Sequence, residues 1–289
     1  MLRWQIGDVT VTRVVEMEVA VPYDPGNPFI VQATPEVLKA IPWLSPHFID
    51  EAGAIKISIH ALLVDAPGLK LVVDTCMGND KPRTLLQGQP LQTKFLEQLA
   101  EAGFAREDVD AVVCTHLHVD HVGWNTMLQE GQWVPTFPNA CYLMGRLEYE
   151  HWRADTSNAG HMDQAQVMAD SVKPVIDAGL AQFVETDHVL SPNVRLVPSP
   201  GHTPGHVSVL IQSKGESAAI TGDMMHHPVQ IARPAWSSSF DVDPAAAAAT
   251  REAMVKDWAS APVLVIGTHF AGPTAGRVRR DGDGYRLEI

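Results

Sequence analysis

Four short apolar segments of this chain each lead, within a few residues, to a side chain that can bind a metal ion. The segments and their potential ligands are residues 111–114 before His116, 194–197 before His202, 218–220 before Asp223 and 263–266 before His269. Short apolar runs are typical of buried β-strands. Glycine precedes three of these ligands within two residues, which permits sharp bends beside them. Because the loops at strand ends meet in one crevice of an α/β fold, the pattern predicts such a fold with a common metal-binding crevice.

The first of these segments leads into a run dense in ligands, Thr115-His116-Leu117-His118-Val119-Asp120-His121. If the chain stays extended there, His116, His118 and Asp120 share one side and His121 follows at the turn. Imidazole and carboxylate groups suit zinc, manganese, iron or cobalt. With the ligands at the other strand ends, five histidines and two aspartates are available. That set exceeds what one zinc ion needs and suits two divalent metal ions with an open position for water.

Composition and charge restrict the kinds of partner. Hydrophobic residues make up 45% of the 289 residues and charged residues 19%, as in an ordinary globular protein. The formal net charge of −13 argues against binding to nucleic acid or to a membrane, whose phosphates attract Lys and Arg. Three scattered cysteines do not make a disulfide framework. Without a signal-peptide core or an apolar stretch of about 18 residues, we expect a cytoplasmic protein that acts on a small-molecule substrate.

Residues 1–54 differ in pattern from the rest of the chain. Six prolines between positions 22 and 46 argue against long helices and central strands. Thr34 and Pro35 predict the start of one short helix. We expect an N-terminal extended arm that packs on the core. A homodimer contact or a pocket wall is the alternative, because large apolar side chains such as Phe29 lie in a loop-like segment. Residues 55–289 would then form the catalytic domain.

From residue 55 onward, short apolar runs alternate with amphipathic stretches. The predicted strands lie at residues 55–64, 69–73, 111–114, 140–144, 194–197, 207–211, 218–220 and 263–266. The predicted helices lie at residues 92–102 and 244–259, with a mostly helical stretch at 145–180 that breaks near Pro174. Strands in runs, interleaved with helices, predict sheets covered by helices in one α/β domain.

Together these motifs resemble those of a known family. His116-x-His118-x-Asp120-His121, Gly201-His202, Thr221-Gly222-Asp223 and Gly267-Thr268-His269 are similar to the metal-binding motifs of the metallo-β-lactamase superfamily. The resemblance covers roughly residues 55–289 and implies an α/β (α+β) fold, the four-layer αββα sandwich, with two metals at one edge. It implies that His116, His118 and His202 hold one metal and that Asp120, His121 and His269 hold the other. Asp223 would bridge both, opposite a hydroxide.

Details of the motifs favour one branch of that superfamily. The commonest true β-lactamases lack the His after the Asp and use a Cys ligand, and flavo-di-iron oxidoreductases have Glu where this chain has His118. The full ligand set resembles that of lactonases, glyoxalase II and methyl parathion hydrolase. Residues 200–206 and the tail at 282–286 look most like the methyl parathion hydrolase and lactonase branch. Acyl-homoserine lactonases often have Tyr three residues after the bridging Asp, where this chain has His226, which argues against specificity for signal lactones.

The resemblance implies a hydrolase of lactones or of aryl and carboxylic esters, promiscuous toward organophosphate triesters, with a metal-bridging hydroxide as nucleophile. Zinc is the expected metal, with manganese, iron or cobalt as alternatives. Asp120 is the candidate for relaying a proton to the leaving alkoxide, and His226 for donating to a substrate oxygen. Asp74, at a predicted strand end, would orient a ligand imidazole or serve in a turn. The candidate pocket residues are Trp152, Met224, Met225, Trp236 and Phe270.

Three other activities fit the same fold. They are a glyoxalase II-like thioesterase, a β-lactamase and a non-haem iron dioxygenase. A glutathione or nucleotide site calls for a cationic cluster, and the sequence has none beside its motifs. Iron together with thiol-dependent oxygen uptake would identify the dioxygenase.

Overall fold

The chain forms two β-sheets that stack face to face. The structure is a computed structural model that describes residues 1–155 and 163–289. Strands are numbered along the chain, and the first sheet has the order β1 (Arg3–Ile6), β2 (Val9–Val21), β3 (Ile55–Ala66), β4 (Leu69–Val73), β5 (Ala111–Cys114), β8 (Cys141–Gly145) and β9 (Ala181–Val184). Between β5 and β8 in the chain, β6 (Thr126–Gln129) and β7 (Gln132–Pro135) pair as a separate hairpin. The second sheet has the order β10 (Val194–Pro198), β11 (Val207–Ser213), β12 (Glu216–Ile220), β13 (Val263–Ile266), β14 (Ala275–Asp281) and β15 (Gly284–Glu288).

Helices cover the outer faces of the two sheets. They are α1 (Pro35–Lys39), α2 (Phe95–Glu101), α3 (Arg146–Ala154), α4 (Gln164–Val167), α5 (Lys173–Asp177), α6 (Val229–Ala232) and α7 (Pro244–Ser260). Short 3₁₀ turns lie at Pro42–Leu44, Thr84–Leu86, Gly123–Asn125 and Gly222–Met224. Within the described residues, no helix combines the length and the apolar character needed to span a bilayer.

Three hydrophobic clusters separate the four layers. Between the sheets, side chains of the first sheet such as Val64 and Val113 pack against Val209 and Ile220 of the second. Outside the first sheet, the buried face of α2 packs against β5 and β8. Outside the second sheet, the buried residues of α7 join those of β13 and β14. Each sheet therefore buries both of its faces, which is the αββα arrangement that the family resemblance implies.

The N-terminal segment contributes directly to the first sheet. β2 pairs with β3 along almost its whole length, from Thr10 opposite Asp65 to Val21 opposite Ile55. The expectation that residues 1–54 lack central strands was therefore wrong for β2, because the prolines begin only at Pro22, after the strand has ended. Residues 22–54 pack their buried side chains into the cluster outside the second sheet. The division of the chain at residue 54 stays a prediction.

Most predicted elements appear close to their expected bounds. Thr34 caps α1, and its side chain accepts from the backbone N–H of Val37. The stretch at 145–180 contains α3, α4 and α5, although residues 156–162 of that prediction lie outside the described residues. The expected break near Pro174 is confirmed, since α5 begins at Lys173 and Pro174 lies in its first turn, where a missing N–H is tolerated. A π-turn, Met168–Val172, joins α4 to α5. The hairpin β6–β7 and the strand β9 were not predicted.

Candidate metal centre

The seven candidate ligands converge because of the directions of the strands that precede them. β12 and β13 run parallel, and β10 and β12 both run antiparallel to β11. These three strands therefore end at one edge of the second sheet, and their ends carry His202, Asp223 and His269. The end of β5 is joined to this edge by a backbone hydrogen bond of 3.0 Å from Val207 to the carbonyl of Thr115. His116, the first ligand of the run, follows Thr115 directly.

Three imidazoles form one buried group. The Nδ1 atom of His118 lies 3.0 Å from Nε2 of His202. The ring centroid of His116 lies 4.5 Å from that of His118 and 4.8 Å from that of His202. One ring nitrogen from each residue lies within 4.8 Å of the other two. This geometry assembles three ligands suited to one metal ion.

Asp120, His121 and His269 form a second group, and Asp223 lies between the two. The Nε2 atom of His269 is 3.3 Å from Nε2 of His121 and 3.4 Å from an oxygen of Asp120. The Oδ2 atom of Asp223 is 3.2 Å from Nε2 of His121 and 3.6 Å from Nε2 of His202. One carboxylate is thus in contact with both groups. A carboxylate in that position can serve two neighbouring metal ions.

Burial and charge shift the pKa values of these groups in different directions. Burial holds the pKa of His116, His118 and His202 well below the usual value, which keeps these imidazoles neutral. Burial also acts to lower the pKa of His121, but the carboxylates of Asp223 and Asp120 outweigh it and raise that pKa well above the usual value. Neutral imidazoles and ionised carboxylates are the forms that bind metal ions.

The donor set fits metal ions. The Nε2 atom of His116 is buried and has no hydrogen-bond partner among the described residues, and Asp223 Oδ2 lies 3.9 Å from it. In two places imidazole nitrogens face each other at 3.0 and 3.3 Å, where a cation can satisfy both lone pairs at once. Nitrogen and oxygen ligands without a thiolate suit zinc, manganese, iron or cobalt. The arrangement therefore fits a dinuclear metal site.

Buried partners fix the orientation of the ligand rings. Asp74 accepts from Nδ1 of His121 at 2.9 Å and from the backbone N–H of Thr115 at 2.8 Å. Asp241 accepts from Nδ1 of His202 at 3.0 Å and pairs with the buried guanidinium of Arg251 at 3.3 Å. Such contacts hold a ligand ring in one tautomer. Of the two roles expected for Asp74, orienting an imidazole is the one observed. Asp241 and Arg251 were missed because no motif surrounds them in the sequence.

An apolar cavity of about 360 Å³ opens above the candidate ligands. Its floor includes His118, Asp120, His202, Asp223 and His269. Its walls include Met17 and Val19 of β2, Phe29, Leu85, Leu86 and Phe240. The described residues that line it include no Lys or Arg. Phe29 belongs to the N-terminal segment, for which a pocket wall was one of the expected roles.

Five residues expected in the pocket lie elsewhere, so that assignment is corrected. Met224, Met225 and Phe270 are buried in the core outside the second sheet. Trp236 packs against that core and borders a separate surface groove. Trp152 belongs to the core outside the first sheet, with its ring centroid 5.1 Å from that of His118. Met224 lies with Asp223 in the 3₁₀ turn Gly222–Met224, where successive side chains point in different directions, so a position next to a ligand in the sequence does not place a residue in the cavity.

His226 does line the cavity. Its Nε2 atom lies 3.3 Å from Asp223 Oδ2. Its ring stands edge-on to Phe29 at 5.5 Å and parallel to His269 at 5.8 Å between centroids. The structure thus brings His226 together with the seven candidate ligands, on the side that faces the cavity.

Solved structures of similar shape span nearly the whole chain. AbOPH, described as a hydrolase in the beta lactamase superfamily, is 26% identical, with a TM-score of 0.78 that covers 99% of this chain and 96% of AbOPH. AidC, a dizinc quorum-quenching lactonase solved in complex with a product, is 20% identical, with a TM-score of 0.77 and the same coverage. At 20% identity the likeness to AidC shows the fold alone.

Curated relatives match a smaller part of the chain. An N-acyl homoserine lactonase from Bacillus sp is 29% identical over 136 residues, which is 45% of this chain and 46% of the relative. The N-acyl homoserine lactonase AttM from Rhizobium radiobacter is 29% identical over 120 residues, 40% of this chain and 41% of AttM. The chain therefore spans about half the length, or less, of these relatives.

A family model covers most of the chain. The model of the metallo-beta-lactamase superfamily matches residues 56–269, a region that contains all seven candidate ligands. Its start coincides closely with the point at which the sequence pattern becomes regular. The resemblance inferred from the motifs and the αββα fold implied by it are thus confirmed. The chain belongs to the metallo-β-lactamase superfamily.

Proposed function

We propose that this protein is a metal-dependent hydrolase that opens lactones and cleaves aryl or carboxylic esters. The observation that carries the proposal is the position of the two ligand groups, which share Asp223 and form the floor of an apolar cavity. The lactonases among its relatives support it. Promiscuous cleavage of organophosphate triesters belongs to the same proposal, because an uncharged triester suits the same apolar walls.

Two divalent ions, zinc first among the candidates, would supply a water of lowered pKa and polarise the carbonyl oxygen of the substrate. The side chains would perform the remaining steps. Asp120, whose side chain is 14% exposed and lines the cavity, is positioned to accept the proton that remains on the oxygen added from water. It would pass that proton to the alkoxide that leaves as the ring C–O bond breaks. His226 is positioned to donate from Nε2 to a substrate oxygen.

The walls of the cavity define the substrate class. Their apolar side chains favour burial of an alkyl or aryl substituent. The described lining residues carry negative charge on Asp120 and Asp223 and offer no Lys or Arg to a substrate anion. A glutathione thioester, which carries carboxylates, therefore matches this cavity poorly. An uncharged lactone with an apolar substituent matches it well.

A substrate panel tests the proposal. The zinc-loaded protein would be assayed on γ-lactones with and without an alkyl substituent, aryl esters, a dialkyl aryl phosphotriester, a glutathione thioester and a β-lactam. We expect the highest kcat/KM on the substituted lactones or aryl esters, and a lower value on the unsubstituted lactone. Preference for the thioester or the β-lactam would contradict the proposal. Iron with thiol-dependent oxygen uptake and no hydrolysis would replace it with the dioxygenase.

A further inference from the structure

The carboxylate of Glu148 joins the two loops that carry the first ligand group. Glu148 lies in α3 and is fully buried, at 1% exposure. Its Oε1 atom accepts from the backbone N–H of Leu117 at 3.1 Å, and its Oε2 atom accepts from the backbone N–H of Gly205 at 3.1 Å. Leu117 separates His116 from His118, and Gly205 follows His202 by three residues.

The contact between α3 and the His202 loop depends on glycine. A Cβ atom on Gly205 would lie 2.3 Å from the backbone nitrogen of Glu148 and 2.6 Å from its Cβ. The loop thus approaches the helix more closely than any side chain would permit. This approach brings the Gly205 N–H within reach of the carboxylate.

Trp152, one turn further along α3, contacts both the carboxylate of Glu148 and the ring of His118 in the first ligand group. Its Nε1 atom donates to Oε1 of Glu148 at 2.6 Å, and its ring lies 5.1 Å from that of His118 between centroids. Among the described residues, Leu117, Gly205 and Trp152 donate hydrogen bonds to the carboxylate, and these bonds compensate for its burial. Loss of the carboxylate would release both loops and the indole together.

The second ligand group is held by other residues. Nδ1 of His121 is bonded to Asp74 at 2.9 Å, and Nδ1 of His269 donates to the carbonyl of Ser58 at 3.1 Å. The hydrogen bonds of Glu148 reach neither His121 nor His269. Asp74 also accepts from the backbone N–H of Thr115, next to His116, whereas Glu148 bonds to peptide groups beside ligands of the first group only.

We propose that Glu148 is a positioning residue that sets the geometry of His116, His118 and His202, and with it the affinity of one metal position but not of the other. This inference rests on the metal dependence that is part of the proposed function. It concerns backbone positions, since Glu148 bonds to the peptide groups beside the ligands and not to their rings.

The test is the zinc affinity of Glu148→Gln, measured by competition with a chromophoric chelator on the metal-stripped full chain. Glutamine has one acceptor oxygen, so it cannot accept from both loops. We expect one zinc equivalent to bind as in the unchanged protein and the other at least 10-fold more weakly, in the range for lost outer contacts of metal ligands. Glu150→Gln is the matched control. It makes the same change on the exposed face of α3 and should leave both affinities unchanged.

Two results would overturn the inference, namely unchanged affinity at both positions or equal weakening of both. If Glu148→Gln does not fold, as judged by circular dichroism, Trp152→Phe replaces it, because it keeps a ring beside His118 and removes one donor to the carboxylate. The same selective weakening, by a few-fold, is expected, and unchanged binding would again overturn the inference. The readout needs no substrate, so failure to hydrolyse lactones would remove the proposed function and leave this result intact.

Discussion

At the scale of single residues, a substitution of His226 tests the proposed catalysis separately from metal binding. It lines the cavity and contacts Asp223, whereas the next residue, His227, bonds to the carbonyl of Phe48 at 2.8 Å and does not line the cavity. We predict that His226→Phe keeps both metals and lowers kcat/KM on lactones by about 100-fold, the usual effect of losing one donor to a developing oxyanion. Steady-state kinetics and metal analysis of the same sample measure both effects.

His227→Phe is the control for that prediction. It also removes an imidazole and keeps a ring, but it leaves the Phe48 carbonyl and the Val229 N–H unpaired. It should lower the free energy of unfolding by about 1–3 kcal/mol and leave kcat/KM nearly unchanged. Equal losses of activity in the two variants would mean that His226 has no direct part in the reaction.

The seven candidate ligands could be predicted from the sequence, but the cavity walls could not. A ligand can be recognised in the sequence where His or Asp follows a predicted strand and a glycine, as after Gly201 and Gly222. A wall residue such as Met17 or Leu86 has no such signature, and its place in the cavity depends on contacts between distant parts of the chain. The pocket residues were assigned from their closeness to ligands in the sequence, and this was a poor guide, since Met224 lies beside Asp223 yet is buried in the core.

At the scale of elements, the His202 loop and the first turn of α7 fit closely. Gly201 has φ of +130°, and a Cβ there would lie 2.1 Å from the backbone nitrogen of Ala247. We predict that Gly201→Ala lowers the free energy of unfolding by about 2–4 kcal/mol, because a backbone penalty and a steric clash add. It should also weaken zinc binding, since His202 follows directly. Denaturant unfolding and chelator competition measure the two effects.

Gly215→Ala serves as the matched control. Gly215 also has positive φ, +81°, but a Cβ there would meet no atom within 4 Å. The variant should lower the free energy of unfolding by about 1 kcal/mol, through the backbone penalty alone, and leave zinc binding unchanged. If the two variants unfold at the same denaturant concentration, close packing of α7 on the ligand loop contributes nothing.

Strands such as β5 and β13 could be predicted because each is a short run of apolar residues, whereas β6, β7 and β9 contain more polar residues and were not predicted. The long strand β2 was not predicted, because the prolines of residues 1–54 argue against a central strand in that segment. The alternation at residues 9–14 is nevertheless typical of a strand. The order of strands in the sheets, including the parallel pair β12 and β13, follows from tertiary packing and has no local signal.

At the scale of the whole molecule, the candidate metal site links the two sheets. His116 to His121 follow β5 of the first sheet, while His202, Asp223 and His269 follow strands of the second. We predict that removing the metals lowers the unfolding temperature by about 10 °C. At a free ion concentration about 1,000-fold above Kd, each bound ion stabilises the native state by about 4 kcal/mol. Calorimetry before and after chelation measures the change. Zinc should restore the midpoint, and an equal midpoint without metal would contradict the prediction.

Part of the cavity wall comes from a region of the chain that contains none of the candidate ligands. Met17, Val19 and Phe29 precede residue 55, whereas every candidate ligand follows residue 115. This part of the wall can therefore change in evolution without any change to the candidate ligands. Substitutions in the N-terminal segment would change the cavity while the candidate metal site stays intact. In protein engineering, that segment is the part of the chain to randomise, because its residues can be varied while every candidate ligand is kept.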